Sequence, residues 1–250
     1  MQTSRLFNLE ILSVKKAELF DFFDQFLATE VNQSEKTKTL KVFTPNPEQI
    51  VLAKHDKVFA KALKQGDYLL PDGIGLVVAA NLLNFFGKVN TKIPERIAGV
   101  ELVEHLLSLS LKKGLRSLII GGRDYADHLS DNVFWTEAYQ NKKHIHPIEK
   151  EALEKLIEKL QPDFVFVALG APYQEEWIVE HIGLLEKNGV KLVMAVGGSF
   201  DFIFDKVSRA PLFMQKMGLE WLWRLIKQPW RKYRQLRLIE FIYLIIKEIF

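Results

Sequence analysis

The sequence predicts an α/β protein: a Rossmann-like, mostly parallel sheet with helices on both faces, followed by a helical C-terminal appendage. Three observations lead there. Short, nearly continuous apolar runs rich in Val, Ile, Leu and Phe alternate with segments of helical period, the pattern of strand–helix crossover units. The runs show little polar alternation, which suits strands covered on both faces. Five of the six runs end in Gly or Pro mixed with polar residues, and in such a sheet ligands sit outside the carboxyl ends of the strands.

The elements follow in order. Candidate strands are 7–12 (FNLEIL), 40–43 (LKVF), 68–70 (YLL), 117–120 (SLII), 164–169 (FVFVAL) and 192–196 (LVMAV). Between them, helical periodicity covers 15–28, 47–64, 75–84, 100–113, 148–160 and 173–187. The stretch 84–97 mixes polar and apolar residues around Gly87 and Pro94, and reads as a long loop of the kind that often forms a lid or binding loop.

Composition excludes several classes. At 250 residues with 48% apolar and 26% charged residues, the chain is neither collagen-like nor disordered, and it is long enough for an ample core. The absence of cysteine removes disulfides, thiolate catalysis and iron–sulfur clusters. The first residues, MQTSRLFNLEILSV, hold no apolar run of signal-peptide length, and no segment approaches the roughly 20 apolar residues of a spanning helix, so the expected location is the cytoplasm. The six histidines show no HExxH spacing, His144 and His146 lie on a strand-like segment as surface residues, and no DxD motif is present; no metal site and no cofactor are expected.

Charge is unevenly placed. Residues 212–250 carry eight basic and three acidic residues, a net +5 in a chain whose total is +3. Trp221, Trp223 and Trp230 lie in or beside the same stretch. The sequence therefore divides into a mildly acidic body, 1–211, and a basic, aromatic segment, 212–250. Basic and aromatic residues on an amphipathic helix suit a membrane interface; a solvated face over a core-packed helix is the alternative. Nucleic acid is disfavoured, because the body is net negative and carries no nucleic-acid module.

The strand ends supply the candidate site. Gly121-Gly122 and Gly197-Gly198 at strand–helix junctions would let backbone N–H groups approach a nucleotide diphosphate, or simply form tight turns. Neither GxGxxG nor GxxxxGK[ST] occurs, which disfavours dinucleotide oxidoreductases and P-loop enzymes. Asp72, between Pro71 and Gly73, would accept a proton from a hydroxyl nucleophile, or else cap the following helix. Thr44 and Asn46 divide between turn formation and contact with a polar ligand, and Gln174 and Glu175 between ligand contact and capping. Arg224, Arg231 and Arg234 share a helix face if Pro229 only kinks the helix, and guanidinium forks suit phosphate oxygens.

Taken together, Thr44-Pro-Asn46-Pro-Glu48, Pro71-Asp72-Gly73-Ile-Gly75, Glu95-Arg96-Ile-Ala-Gly99, Gly170-Ala-Pro172-Tyr-Gln174-Glu175, Gly197-Gly198-Ser-Phe200-Asp201, Arg209-Ala-Pro211 and Glu220-Trp-Leu-Trp-Arg224 through Arg234 resemble the blocks of the WecG/TagA/CpsF glycosyltransferase family, in family order, from about Leu40 to Arg237. Two positions depart from the family pattern. Tyr173 stands where a basic residue is usual, and no glycine precedes Arg209.

The resemblance implies an inverting, metal-independent transfer of a hexose, often N-acetylmannosamine or its uronic acid, from a UDP donor. The acceptor it implies is N-acetylglucosamine on a polyprenyl diphosphate at the inner face of the cell membrane. It implies Asp72 as general base, Thr44, Asn46 and Gln174 lining the sugar site, and Arg96 on polar groups of donor or acceptor. Arg224, Arg231 and Arg234 would offset the charge of UDP as the C-terminal segment closes over the crevice. Glu175, Gly197, Gly198 and Asp201 fall within these blocks as binding candidates, and Gly121 and Gly122 are binding candidates from their place at a strand end. A nucleotide-sugar modifying enzyme and a non-catalytic membrane adaptor are the competing readings, and a homo-oligomer is left open.

Overall fold

The computed structural model describes residues 1–30, 38–216, 219–227 and 232–250, without the side chains of 28–30, 212, 216, 221, 224 and 232–236. Its strands are β1 (Thr3–Leu6), β2 (Leu9–Leu12), β3 (Leu40–Phe43), β4 (Tyr68–Leu69), β5 (Ser117–Gly121), β6 (Val133–Thr136), β7 (Phe164–Ala168) and β8 (Leu192–Ala195). They form one sheet in the order β1-β2-β4-β3-β8-β7-β5-β6, parallel throughout except for the β1–β2 pair at one edge. The helices are α1 (Lys16–Glu30), α2 (Pro47–His55), α3 (Lys57–Leu63), α4 (Ile74–Phe85), α5 (Gly99–Lys113), α6 (Pro147–Leu160), α7 (Tyr173–Lys187), α8 (Ser199–Ile203), α9 (Leu212–Lys216), α10 (Glu220–Lys227) and α11 (Lys232–Ile249).

The apolar runs behave as doubly covered strands. Every residue of β5, β7 and β8 is buried. Successive side chains of a strand point to opposite faces, so each run feeds two cores. Val165 and Val167 join Leu118, Ile120 and Ala195 on one side, while Phe164 and Phe166 join Ile119, Leu192 and Met194 on the other. The first core includes the inner faces of α2, α3, α4 and α7; the second includes those of α1 and α5. Helices thus cover both faces, as the sequence predicts.

Three sequence expectations change. The single strand over 7–12 is a hairpin, because Phe7 (φ 51°) and Asn8 (φ 62°) both adopt the left-handed conformation that a two-residue turn with right-handed strand twist requires. The helix over 47–64 is two helices. Asp56 ends α2, and its carboxylate accepts the N–H groups of Val58 (2.9 Å) and Phe59 (3.0 Å) to start α3. His146 lies on no strand: its ring nitrogen accepts the Ile148 N–H and Glu149 accepts the His146 N–H, so it caps α6. The structure also adds β6, which the sequence reading lacks.

Residues of the C-terminal segment join the body. Phe241, Leu244 and Ile245 of α11 are buried in the first core, and α11 packs on α2 and α4. Gly75, in the first turn of α4, makes that closeness possible: a Cβ there would stand 2.7 Å from Pro47 Cγ and 3.7 Å from Phe241. Among the described residues, no helix is long and apolar enough to cross a membrane.

Candidate active site

The carboxyl ends of the central strands are tied to one another by backbone and short side-chain bonds. After β3, the Thr44 hydroxyl donates to the Ala195 carbonyl at the end of β8 (3.3 Å). The Pro45 carbonyl accepts the Asp72 N–H (3.1 Å), joining the loops after β3 and β4. Ile97 N–H donates to the Pro71 carbonyl (3.2 Å), which brings the segment carrying Arg96 to the same place. Asn46 is the N-cap of α2, its oxygen accepting the Gln49 N–H (3.1 Å).

Asp72 does not occupy the cap position of α4. Gly73 does, with φ 102° and ψ 133°, a conformation open to glycine and strained for other residues, and with no side chain to cap the helix. Asp72 is displaced one residue upstream and stays half-exposed at the mouth of the loops.

Gln174 and Glu175 form a buried tie beneath two of these loops. The Gln174 Oε1 accepts the N–H of Gly170 after β7 and of Gly197 after β8, both at 3.0 Å. Its Nε2 donates to Glu175 Oε1 (2.9 Å), and Gln49 Nε2 donates to the same oxygen (3.2 Å). Glu175 is fully buried, and neither its Oε2 nor Gln49 Oε1 has a hydrogen-bond partner. Burial pushes the Glu175 carboxyl up to about 7, because removing a carboxylate from water disfavours its charged form. Gln174 is 2% exposed, so the structure gives it a loop-holding task.

At the end of β5 the glycine pair is set by close packing. Gly121 and Gly122 have φ 81° and 87°. The Gly121 carbonyl accepts the Trp135 indole N–H (2.9 Å), and a Cβ on Gly122 would fall 2.6 Å from the Tyr125 hydroxyl. Tyr125 is fully buried and donates to Asp201 Oδ1 (2.8 Å), to which Arg123 Nε also approaches at 3.3 Å. Burial, with the Asp201 carboxylate adding to it, raises the Tyr125 phenol well above its usual range and keeps it protonated. Gly198 is the N-cap of the short α8 that carries Asp201.

The far end of the chain is fastened beside Asp72. Arg96 Nη1 donates to Glu220 Oε2 at 2.7 Å in a pair whose side chains are 14% and 13% exposed. Arg209 lies 3.6 Å from the other Glu220 oxygen and 3.5 Å from Glu101. Glu220 opens α10, and Arg224 follows it by one helical turn. The backbones of Arg224 and Arg234 lie in α10 and α11, their side chains are outside the described ones, and Arg231 lies outside the described residues altogether.

Sequence reasoning missed Glu220 as a partner of Arg96, Gln49 as a partner of Glu175, and Lys142. Lys142 Nζ donates to the Leu169 carbonyl (2.5 Å) and stands 5.5 Å from the Tyr173 ring centre, so a cation reaches the loop at a position where the chain itself has none. Nothing in its local sequence signals this, since the contact spans 27 residues. Among the described residues, no group of three or more His, Asp or Glu side chains is placed to hold a metal ion.

A family model described as the glycosyl transferase WecG/TagA/CpsF family matches residues 5–250. The chain is 29% identical over 254 residues to the N-acetylglucosaminyldiphosphoundecaprenol N-acetyl-beta-D-mannosaminyltransferase of Bacillus subtilis (strain 168), covering 99% of this chain and 93% of that protein. It is 28% identical over 220 residues to the protein of the same name from Staphylococcus aureus (strain MRSA252), covering 86% and 82%. A match along nearly the whole chain, over a sheet whose strand ends converge as described, makes this protein a member of the WecG/TagA/CpsF family and a glycosyltransferase.

Proposed function

We propose that the enzyme moves N-acetylmannosamine, or a closely related hexose, from a UDP donor to N-acetylglucosamine carried on a polyprenyl diphosphate, with inversion at the anomeric carbon. The relatives' names specify that acceptor and a β-linked N-acetylmannosamine product, and they support the same pair here. The observation that supports the mechanism is the place of Asp72: a half-exposed carboxylate in the loop after β4, one residue before the Gly73 cap of α4.

Asp72 takes the proton of the acceptor hydroxyl as its oxygen attacks the anomeric carbon from the face opposite UDP. The bond between that carbon and the diphosphate oxygen breaks, and the electron pair leaves on UDP. Negative charge then grows on the diphosphate, and Arg224, Arg231 and Arg234 offset it. Thr44 and Asn46 shape the sugar site from the β3 end, while Gln174 holds the β7 and β8 loops against it. Arg96 acts through Glu220, holding the C-terminal segment in place. Residues 1–211 form the catalytic body. Residues 212–250 complete the site and meet the membrane, so the enzyme works as a peripheral protein on its inner face.

A UDP-release assay with UDP-N-acetylmannosamine and a lipid-diphosphate N-acetylglucosamine acceptor tests this. Asp72→Asn lowers turnover by roughly 10²–10⁴-fold, the usual worth of a general base, and leaves donor binding intact. Near-wild-type turnover in that variant refutes the base assignment. UDP release without any acceptor would mark a nucleotide-sugar modifying enzyme instead, and no release with any acceptor would mark an adaptor.

A further inference from the structure

Helix α4 is apolar on both sides. Leu76, Val77, Ala79, Ala80 and Leu83 face the core, as expected of an inner stripe. The opposite stripe, Ile74, Val78, Leu82, Phe85 and the adjoining Phe86, recurs at helical spacing yet is exposed: Val78 by 56% and Phe85 by 80%. Between Asp72 and Lys88 the chain has no charged residue. A soluble helix normally turns charged and polar groups to water, so this outer stripe calls for an apolar partner.

The structure indicates which one. Helix α11 lies against α4 and presents a second exposed stripe, Ile239, Ile242, Tyr243 and Ile246. Cations border the two stripes: Lys88 and Lys92 follow α4, and Lys247 lies on α11. Of the acidic residues on α11, Glu240 is paired with His55 (2.6 Å) and Lys54 (3.6 Å). Glu248 lines a cleft with Arg5 and Lys88. An apolar and aromatic face bordered by lysines fits the headgroup boundary of an anionic bilayer. The α4 stripe also begins two residues after Asp72.

We infer that the outer stripe of α4, together with that of α11, is the surface on which the enzyme sits on an anionic phospholipid bilayer, and that α4 thereby sets Asp72 at headgroup level. This rests on the proposed lipid-linked acceptor, whose sugar is presented at that depth. It assigns membrane contact to the catalytic body as well as to the basic C-terminal segment.

The test uses the full chain and vesicles of phosphatidylcholine with or without phosphatidylglycerol. The variant Val78→Glu/Leu82→Glu/Phe85→Glu, at exposed positions, loses at least tenfold in partition onto the anionic vesicles. Phe85→Glu alone loses part of that, and Ile148→Glu, an exposed apolar position on α6, loses none. Transfer to the acceptor embedded in vesicles falls with partition, while transfer to a short-chain, water-soluble acceptor stays within about twofold of wild type. Unchanged partition of the triple variant overturns the inference. So does a wild-type dimer in sedimentation velocity that the triple variant dissociates without losing vesicle binding, which would assign the stripe to a second copy of the chain. If wild type transfers to neither acceptor, the functional proposal falls, while vesicle partition still decides the stripe.

Discussion

Glu175→Gln isolates a single titration whose cost the structure defines. The carboxyl has its ordinary value of 4.5 in the unfolded chain and is pushed to about 7 by burial in the folded one. Below pH 4.5 both states hold the proton and the site costs nothing. Between 4.5 and about 7 the unfolded chain releases its proton while the folded protein keeps it, so stability falls as pH rises. Above about 7 both are ionised and the full cost stands. At about 1.4 kcal/mol per pKa unit, it amounts to roughly 3 kcal/mol. Glutamine keeps an oxygen for the donors on Gln49 and Gln174, never ionises, and brings a donor to a pocket where Gln49 Oε1 has none. Urea unfolding of both proteins at pH 5 and pH 8.5 reads the effect. The advantage of the variant grows by about 2–3 kcal/mol across that interval, and all other titrating groups cancel between the two proteins. Parallel stability curves would refute the burial argument, and with it the view that Glu175 is neutral while Gln174 holds the loops.

Two further changes probe the frame of the site. Gly122→Ala places a methyl group 2.6 Å from the Tyr125 hydroxyl at a backbone φ of 87°; strain of that kind costs about 1–3 kcal/mol and appears as a lower melting temperature. Glu220→Ala leaves the Arg96 and Arg209 guanidinium groups without their shared carboxylate. Trypsin then cuts within the basic segment 212–250 at least severalfold faster, and transfer falls with it; an unchanged digestion rate would show that this ion pair does not fasten the segment.

Elements whose pattern is local were legible in the sequence. The ranges read for β3 and α7 match the structure, because a short apolar run and a Pro172-led amphipathic segment each carry their own boundaries. The β1–β2 hairpin was not legible, since Phe7 in its turn is a residue that seldom adopts a positive φ. Strand β6 was missed because it pairs at the sheet edge and buries only Val133 fully, leaving a weak signal. At Asp56 a single carboxylate, inconspicuous in a helical run, ends one helix and starts the next.

The site divides along the same line. Strand ends rich in Gly and Pro marked loops that the structure brings together at one edge of the sheet, but which side chain faces that space depends on contacts far away in sequence. Gln174 reads as a ligand contact or a cap, and its side-chain oxygen also ties Gly170 to Gly197. Arg96 looked like a substrate contact, and its guanidinium is held by a carboxylate 124 residues later. The Arg96 segment is bonded to Pro71, next to Asp72, so the ion pair fixes the start of α10 near the proposed base, and Arg224 follows one turn on. In the proposed mechanism a cation that offsets departing UDP needs a fixed origin, because electrostatic stabilisation is strongest when the charge is already oriented. The Arg96–Glu220 pair provides that origin, and α11, buried against α2 through Phe241, Leu244 and Ile245, holds the far side of the segment.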